Sequence, residues 1–275
     1  MDRYAVIGNP VAHSRSPQIH AAFASQTGQE LVYTTLFAPR DGFAAAVAEF
    51  RASGGRGLNV TVPFKQEAFA LADESSERAR SAGAVNTLTF RDARMLGDNT
   101  DGIGLVRDLM GNLGVTIKGG RVLLIGAGGA ARGVIRPLLG ERPARLTIVN
   151  RTAAKAVELA QSLSIPDVVE GFGFEELSGR RYDVVVNATS TGLSGAALAL
   201  SDDLFSAGAL AYDMMYGRGL TPFLRQAAAA GARTADGLGM LVEQAAESFF
   251  IWRGVRPDTR PVLEALRAGL QTTGA

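Results

Sequence analysis

Four apolar residues at 122–125 run straight into Gly126-Ala-Gly-Gly-Ala-Ala131, and this junction restricts the fold more than any other stretch of the chain. A short apolar run ended by glycines reads as a buried strand, and the alanine-rich stretch behind the glycines reads as a helix. The pattern G-x-G-x-x-A set between a strand and a helix is the phosphate-binding turn of a dinucleotide-binding βαβ unit. Its glycines let the backbone approach a pyrophosphate, while the helix N-terminus offers free N–H groups and the positive end of its dipole. Glycines serving only a tight strand–helix turn would look the same in isolation, but the flanking strand and helix favour the nucleotide. Gly126, Ala127, Gly128, Gly129 and Ala130 are therefore the candidate cofactor contacts.

The same alternation runs along the rest of the chain. Residues 4–8 read as a strand, and Ser16-Pro17 is the start signal of a helix that Gly28 closes. Strands at 32–37 and 58–62 flank a second helix, and 85–90 with 94–96 reads as a hairpin. Thr100 caps a bridging helix that leads to the glycine turn, and further strands are expected at 146–149, 183–186 and 210–213. The tail is purely helical. The expectation is an α/β protein, with an open α/β domain at 1–101, a Rossmann-type dinucleotide-binding domain at 102–237 and helices at 238–275. At 275 residues the chain is long enough for both domains.

Which nucleotide is bound turns on the end of the strand at 146–149. An acidic residue there would take the ribose 2′-hydroxyl of NAD. This chain has Asn150-Arg151-Thr152 instead, with Lys155 one turn on. An arginine without a carboxylate favours the 2′-phosphate of NADP, although a merely solvated Arg151 would leave NAD open.

The second polar constellation is Gly57-Leu-Asn-Val-Thr-Val-Pro-Phe-Lys65. Leu58, Val60 and Val62 alternate with Asn59 and Thr61, and Pro63 stops the strand just before Lys65. An amide, a hydroxyl and an ammonium group then gather at the strand end where open α/β sheets bind ligands. Two readings are open: a site for a polyhydroxylated molecule, or an edge strand with a wet face and a solvated lysine. Net charge is +1 with no basic block, so neither nucleic acid nor an anionic membrane is expected as partner. No apolar run approaches a membrane span and no signal-peptide h-region is present, which makes a cytoplasmic enzyme the expectation. There are no cysteines, and His13 and His20 lack ligand spacing, so no metal site is expected. The sequence admits a homodimer.

Several motifs occur together: His13-Ser14-Arg15-Ser16-Pro17, the stretch from Asn59 to Lys65, Gly83-Ala-Val-Asn86-Thr and Gly97-Asp-Asn-Thr-Asp101-Gly. With GAGGAAR, Asn150-Arg-Thr, Tyr212-Asp-Met-Met-Tyr216 and the run from Asp236 to Gln244, this set resembles the shikimate dehydrogenase family over the whole chain. The resemblance implies reversible NADP-dependent reduction of 3-dehydroshikimate to shikimate, on the way to chorismate and the aromatic amino acids. It implies that Ser14, Ser16, Asn59, Thr61, Asn86, Asp101, Tyr216 and Gln244 hold the substrate's carboxylate and hydroxyls, with Lys65 and Asp101 as the catalytic pair. NADP would be held by residues 126–130 and by Asn150, Arg151, Thr152 and Lys155. Met214 and Gly237 would line its nicotinamide end, with Glu77 near the cofactor. The resemblance further implies that 1–101 is the substrate domain and 102–237 the NADP-binding domain. It implies too that the helices at 238–275 return to the substrate domain, because Gln244 belongs to the substrate set, and that the active site lies in the inter-domain cleft.

The chemistry asks for such a pair. Hydride addition to a ketone builds charge on its oxygen, and an ammonium group stabilises that charge and donates a proton. Asp101 as no more than a first-turn acid behind Thr100 is the plain structural alternative. Two departures stand out: residue 154 is alanine where relatives often carry an arginine for the adenosine phosphate, and the loop at 194–201 is unexpectedly apolar. A quinate/shikimate dehydrogenase using NAD is the nearest rival, and a catalytically silent nucleotide-binding regulator is a rival of another class.

Overall fold

The first strand, β1 (Asp2–Gly8), is buried from Tyr4 to Gly8 and forms the spine of a six-stranded sheet. A computed structural model describes residues 1–189, 198, 200–217 and 219–272 of the chain, and it divides into two units. The first comprises residues 1–104 and 241–268, the second residues 105–240 and 269–275. Of the 194–201 loop, only Leu198, Leu200 and Ser201 are among the described residues.

In the first unit β1 is followed by α1 (Ser16–Thr27), β2 (Leu31–Phe37), α2 (Phe43–Ala52), β3 (Gly55–Val60) and α3 (Lys65–Leu71). Then come β4 (Glu74–Ser75), α4 (Glu77–Ala82), β5 (Thr87–Arg91), β6 (Arg94–Asp98) and α5 (Asp101–Arg107), whose last three residues belong to the second unit. Pro17 starts α1 and Gly28 ends it in the left-handed region at φ 64°. The strand order is β2-β1-β3-β5-β6-β4. Strands β1, β2 and β3 run parallel, while β5 pairs antiparallel with β3 and with β6.

This order overturns the wet-edge reading of the Asn59 strand. β3 lies between β1 and β5, and Leu58, Asn59 and Val60 are all buried. The strand also stops at Val60, so Val62, expected on its apolar face, is 66% exposed. Pro63 has no N–H to extend the ladder, and residues 62–64 turn into α3 instead.

The second unit opens with a π-type turn (Asp108–Asn112) after α5 and continues through β7 (Arg121–Ile125), α6 (Gly129–Gly140), β8 (Arg145–Val149) and α7 (Ala153–Ser162). Strands β9 (Val169–Phe172), β10 (Tyr182–Asn187) and β11 (Phe205–Asp213) follow, then α8 (Pro222–Ala229) and β12 (Arg233–Asp236). All six strands are parallel, in the order β9-β8-β7-β10-β11-β12. The order reverses between β7 and β10, the crevice where such sheets take ligands. Val122 and Leu124 pack into one core, and Leu123 and Ile125 into another on the opposite face. A parallel sheet covered on both faces explains why β7 is apolar at every one of these positions.

The chain closes with α9 (Leu238–Arg253) and α10 (Arg260–Thr272), and residues 241–268 return to the first unit. There Trp252 stacks on Tyr4 at 4.6 Å and donates its indole N–H to the Leu88 carbonyl at 3.1 Å. A Cβ at Gly57 would lie 2.6 Å from that indole nitrogen, so glycine is what admits the ring. No helix among the described residues is long and apolar enough to cross a membrane.

Candidate active site

The loops that leave β1 and β3 lie side by side. Thr61 donates its backbone N–H to Ile7 at 3.0 Å, and Asn9 donates to the Val62 carbonyl at 3.0 Å. Gly8 makes the approach feasible, since a Cβ there would sit 2.4 Å from the Thr61 methyl. The β1 loop then reaches Ser14, whose hydroxyl oxygen accepts the Ser16 N–H at 3.2 Å. Ser14 is half-buried and Ser16 buried.

Lys65 and Asp101 are each the first residue of a helix, α3 and α5. The Lys65 ammonium donates to Asp101 Oδ2 at 2.6 Å, with side-chain exposures of 31% and 10%. Asn86 Nδ2 donates to Asp101 Oδ1 at 2.8 Å, so both carboxylate oxygens are held. The same nitrogen faces Gln244 Oε1 on α9 at 3.0 Å and Thr100 Oγ1 at 2.9 Å, while Asn86 Oδ1 accepts the Thr100 N–H at 2.8 Å. Lys65, Asp101, Asn86 and Gln244 therefore form one continuous hydrogen-bonded set. The Thr61 hydroxyl and the Gln244 amide nitrogen have no protein partner among the described residues. They join the remaining Lys65 hydrogens as donors to a polyhydroxylated ligand.

Asn59 is placed differently. It is 6% exposed, accepts a hydrogen bond from Tyr33, and donates toward the Asn86 carbonyl, Thr87 and Ser248. Of its neighbours, Tyr33 and Ser248 went unrecognised in the sequence, because neither belongs to a spacing pattern that would single it out.

In the second unit Gly126 has φ 118°, a conformation that side chains rarely adopt. Gly128 caps α6 without a side chain, and a Cβ added at Gly128 or Gly129 would meet nothing within 4 Å. The free N–H groups of α6 thus open onto vacant space, which fits a pyrophosphate. Past β8, Asn150 Nδ2 donates to the Thr152 carbonyl at 3.0 Å and shapes the turn. Arg151, Thr152 and Lys155 are exposed, and neither cation has an ion-pair partner among the described residues. Ala154 is exposed on the same turn.

Met214 and Gly237 meet at the ends of β11 and β12. A Cβ on Gly237 would lie 2.2 Å from the Met214 carbonyl oxygen, and Gly237 donates its N–H to Met215 at 3.0 Å. Asp213 fixes this corner by accepting from Thr221 Oγ1 at 2.6 Å and from the Met215 N–H at 3.1 Å. Burial raises the Asp213 pKa, against the pull of these bonds. Tyr216 follows, half-buried. Glu77 is exposed at the start of α4 in the first unit, and the glycine turn belongs to the second.

A separate hollow in the first unit, bordered by Asp2, Arg51, Arg56, Arg253 and Trp252, lies at the opposite ends of β1 and β3. Three of its four arginines are engaged: Arg51 with the Ala93 carbonyl, Arg56 and Arg253 with Asp2. It carries none of the chemistry above.

Residues 6–88 match the shikimate dehydrogenase substrate-binding domain, residues 108–194 the shikimate/quinate 5-dehydrogenase domain, and residues 237–267 the shikimate 5′-dehydrogenase C-terminal domain. Over 270 residues the chain is 60% identical to the shikimate dehydrogenase (NADP(+)) of Dechloromonas aromatica, covering 98% of each. The chain belongs to the shikimate dehydrogenase family. Among solved structures of similar proteins, an Ael1 enzyme from Pseudomonas putida superposes with a TM-score of 0.92 at 49% identity, over 97% of this chain and 98% of that one. The shikimate 5-dehydrogenase of Thermus thermophilus, in complex with NADP(H) and shikimate, gives 0.87 at 36% identity, over 98% and 100%. Shikimate dehydrogenase membership accounts for both halves of the geometry, polar donors on the first unit and an open glycine turn on the second.

Proposed function

We propose that this chain catalyses the reversible reduction of 3-dehydroshikimate to shikimate with NADPH, as the name of its 60%-identical relative indicates. The observation that carries the mechanism is the Lys65–Asp101 pair, held by Asn86 and Gln244 and flanked by free donors. Bound NADPH supplies a hydride to the carbonyl carbon. The Lys65 ammonium hydrogen-bonds the carbonyl oxygen, stabilises its growing charge, and delivers the proton that completes the hydroxyl. Asp101 keeps that ammonium in place and accepts from the new hydroxyl. In the reverse direction Lys65 as a neutral amine takes the proton back.

Ser14, Ser16, Asn59, Thr61, Asn86, Tyr216 and Gln244 bind the substrate's carboxylate and hydroxyls in this reading. Gly126 to Ala130 hold the pyrophosphate, Asn150, Arg151, Thr152 and Lys155 the 2′-phosphate end, and Met214 and Gly237 the nicotinamide. Glu77, exposed at the start of α4, stands near the cofactor in this reading. The reading carries with it a cytoplasmic location and admits a homodimer. The test follows nicotinamide absorbance with shikimate or quinate, each with NADP or NAD. Turnover should be fastest with shikimate and NADP. Comparable turnover of quinate with NAD would overturn the substrate and cofactor assignment, and no turnover with any pair would favour a silent nucleotide-binding regulator.

A further inference from the structure

We propose that Tyr33 is a positioning residue of the substrate site, whose hydroxyl sets the orientation of the Asn59 amide. The proposal rests on the reading that Asn59 meets the substrate. Tyr33 sits on the edge strand β2, yet its side chain turns inward and is 8% exposed. Its ring lies flat on His20, with centroids 4.1 Å apart and planes 4° from parallel. This stacking leaves the phenol little freedom to swing away.

The hydroxyl donates to Asn59 Oδ1 at 2.7 Å. On the other side of the amide, Nδ2 faces Ser248 Oγ at 2.9 Å, Thr87 Oγ1 at 3.2 Å and the Asn86 carbonyl at 3.2 Å. A carbonyl only accepts, so that end of the amide is the nitrogen. Three acceptors thus compete for two hydrogens, whereas Tyr33 is the one donor to Oδ1 among the described residues. One phenol therefore joins β2 to β3, through the side chain proposed to meet substrate. Burial pushes the Tyr33 pKa well above the ordinary tyrosine value, so the donor persists at any pH the enzyme meets. His20 offers no replacement, because neither of its ring nitrogens has a partner at hydrogen-bonding geometry.

Without this hydroxyl, Asn59 Oδ1 is left bare in a dry setting, or the amide turns over and exchanges an acceptor for a donor. Either change alters what Asn59 presents to a ligand without touching Lys65 or Asp101. The test is steady-state kinetics on Tyr33→Phe, Asn59→Ala, the double variant and Ser248→Ala, each shown to be folded by circular dichroism. Tyr33→Phe should raise the shikimate KM about tenfold while kcat changes less than about threefold. In the Asn59→Ala background the same change should add less than about twofold, since the hydroxyl acts through that amide. Ser248→Ala, which leaves two acceptors for two hydrogens, should raise KM less than about threefold.

A Tyr33→Phe variant with lowered thermal stability and unaltered KM overturns the proposal, as does a full tenfold effect persisting in the double variant. Should Tyr33→Phe not fold, Ser248→Ala still decides: a KM rise matching that of Asn59→Ala would show that the nitrogen side sets the amide. If Asn59→Ala itself leaves KM unchanged, the assignment of Asn59 to the substrate fails first, and the proposal falls with it.

Discussion

Acidification from about pH 7 to about pH 5 should weaken the first unit through a single side chain, His20. The ring is fully buried, and burial lowers its pKa from 6.5 to about 3, against an opposing contribution from Asn59. An unfolded histidine titrates near 6.5, so between these values the unfolded chain binds a proton that the folded chain refuses. His20 therefore contributes fully above the unfolded value, and stability is lost as the pH falls through the window toward 3. At pH 5 the interval covered is about 1.5 units, worth about 2 kcal/mol at 1.36 kcal/mol per unit. That is a large share of the roughly 5–15 kcal/mol that holds a domain together.

His20→Phe removes the titration while keeping a flat ring against Tyr33, and it also removes two buried nitrogens that lack partners. Urea titrations read through Trp252, the chain's one tryptophan, report on this layer directly, because its ring lies 5.5 Å from His20. Other carboxylates and the net charge act equally on both proteins and cancel in the comparison. The parent should lose about 2 kcal/mol more than His20→Phe between the two pH values. Equal losses would refute the reasoning, for they would mean that His20 takes up its proton in the folded state.

Two further outcomes follow from the site. Lys65→Ala should lower kcat far more than it changes KM, because the ammonium acts on charge that develops only in the transition state; a near-normal kcat would exclude the acid/base role. Arg151→Ala should raise the NADP KM about tenfold and leave the NAD KM nearly unchanged, as expected for loss of a charge-assisted bond to a 2′-phosphate. Equal effects on both cofactors would place Arg151 elsewhere.

The glycine turn was legible because its signal is local: four apolar residues, glycines and a helix occur in one unbroken stretch. The Lys65–Asp101 pair was reachable only through the family resemblance, since 36 residues separate the two and Asp101 alone reads as a helix-start acid. β3 shows where alternation misleads. A polar residue every second position reads as a wet face, but Asn59 is buried because Tyr33 and Ser248 satisfy it from 26 and 189 residues away. Periodicity reports whether a side chain is polar, and only tertiary structure supplies its partners. Strands β9 and β12 escaped the reading because they are four residues each, too short to establish a period. β9 also contains Gly171, whose missing side chain accommodates the Ala156 carbonyl.

The return of residues 241–268 to the first unit has a consequence for the order in which this protein is made. Residues 105–240 are contiguous, so the six parallel strands of the second unit are all synthesised before Gln244 and Ser248 exist. Until then Asn86 lacks its Gln244 partner, Asn59 lacks Ser248, and Tyr4 has no indole to cover it. Residues 1–104 are thus the ones that wait, with their apolar layer open until residues 241–268 are made. The strands of the second unit come from one unbroken stretch, whereas the first unit is completed by a segment translated after that stretch.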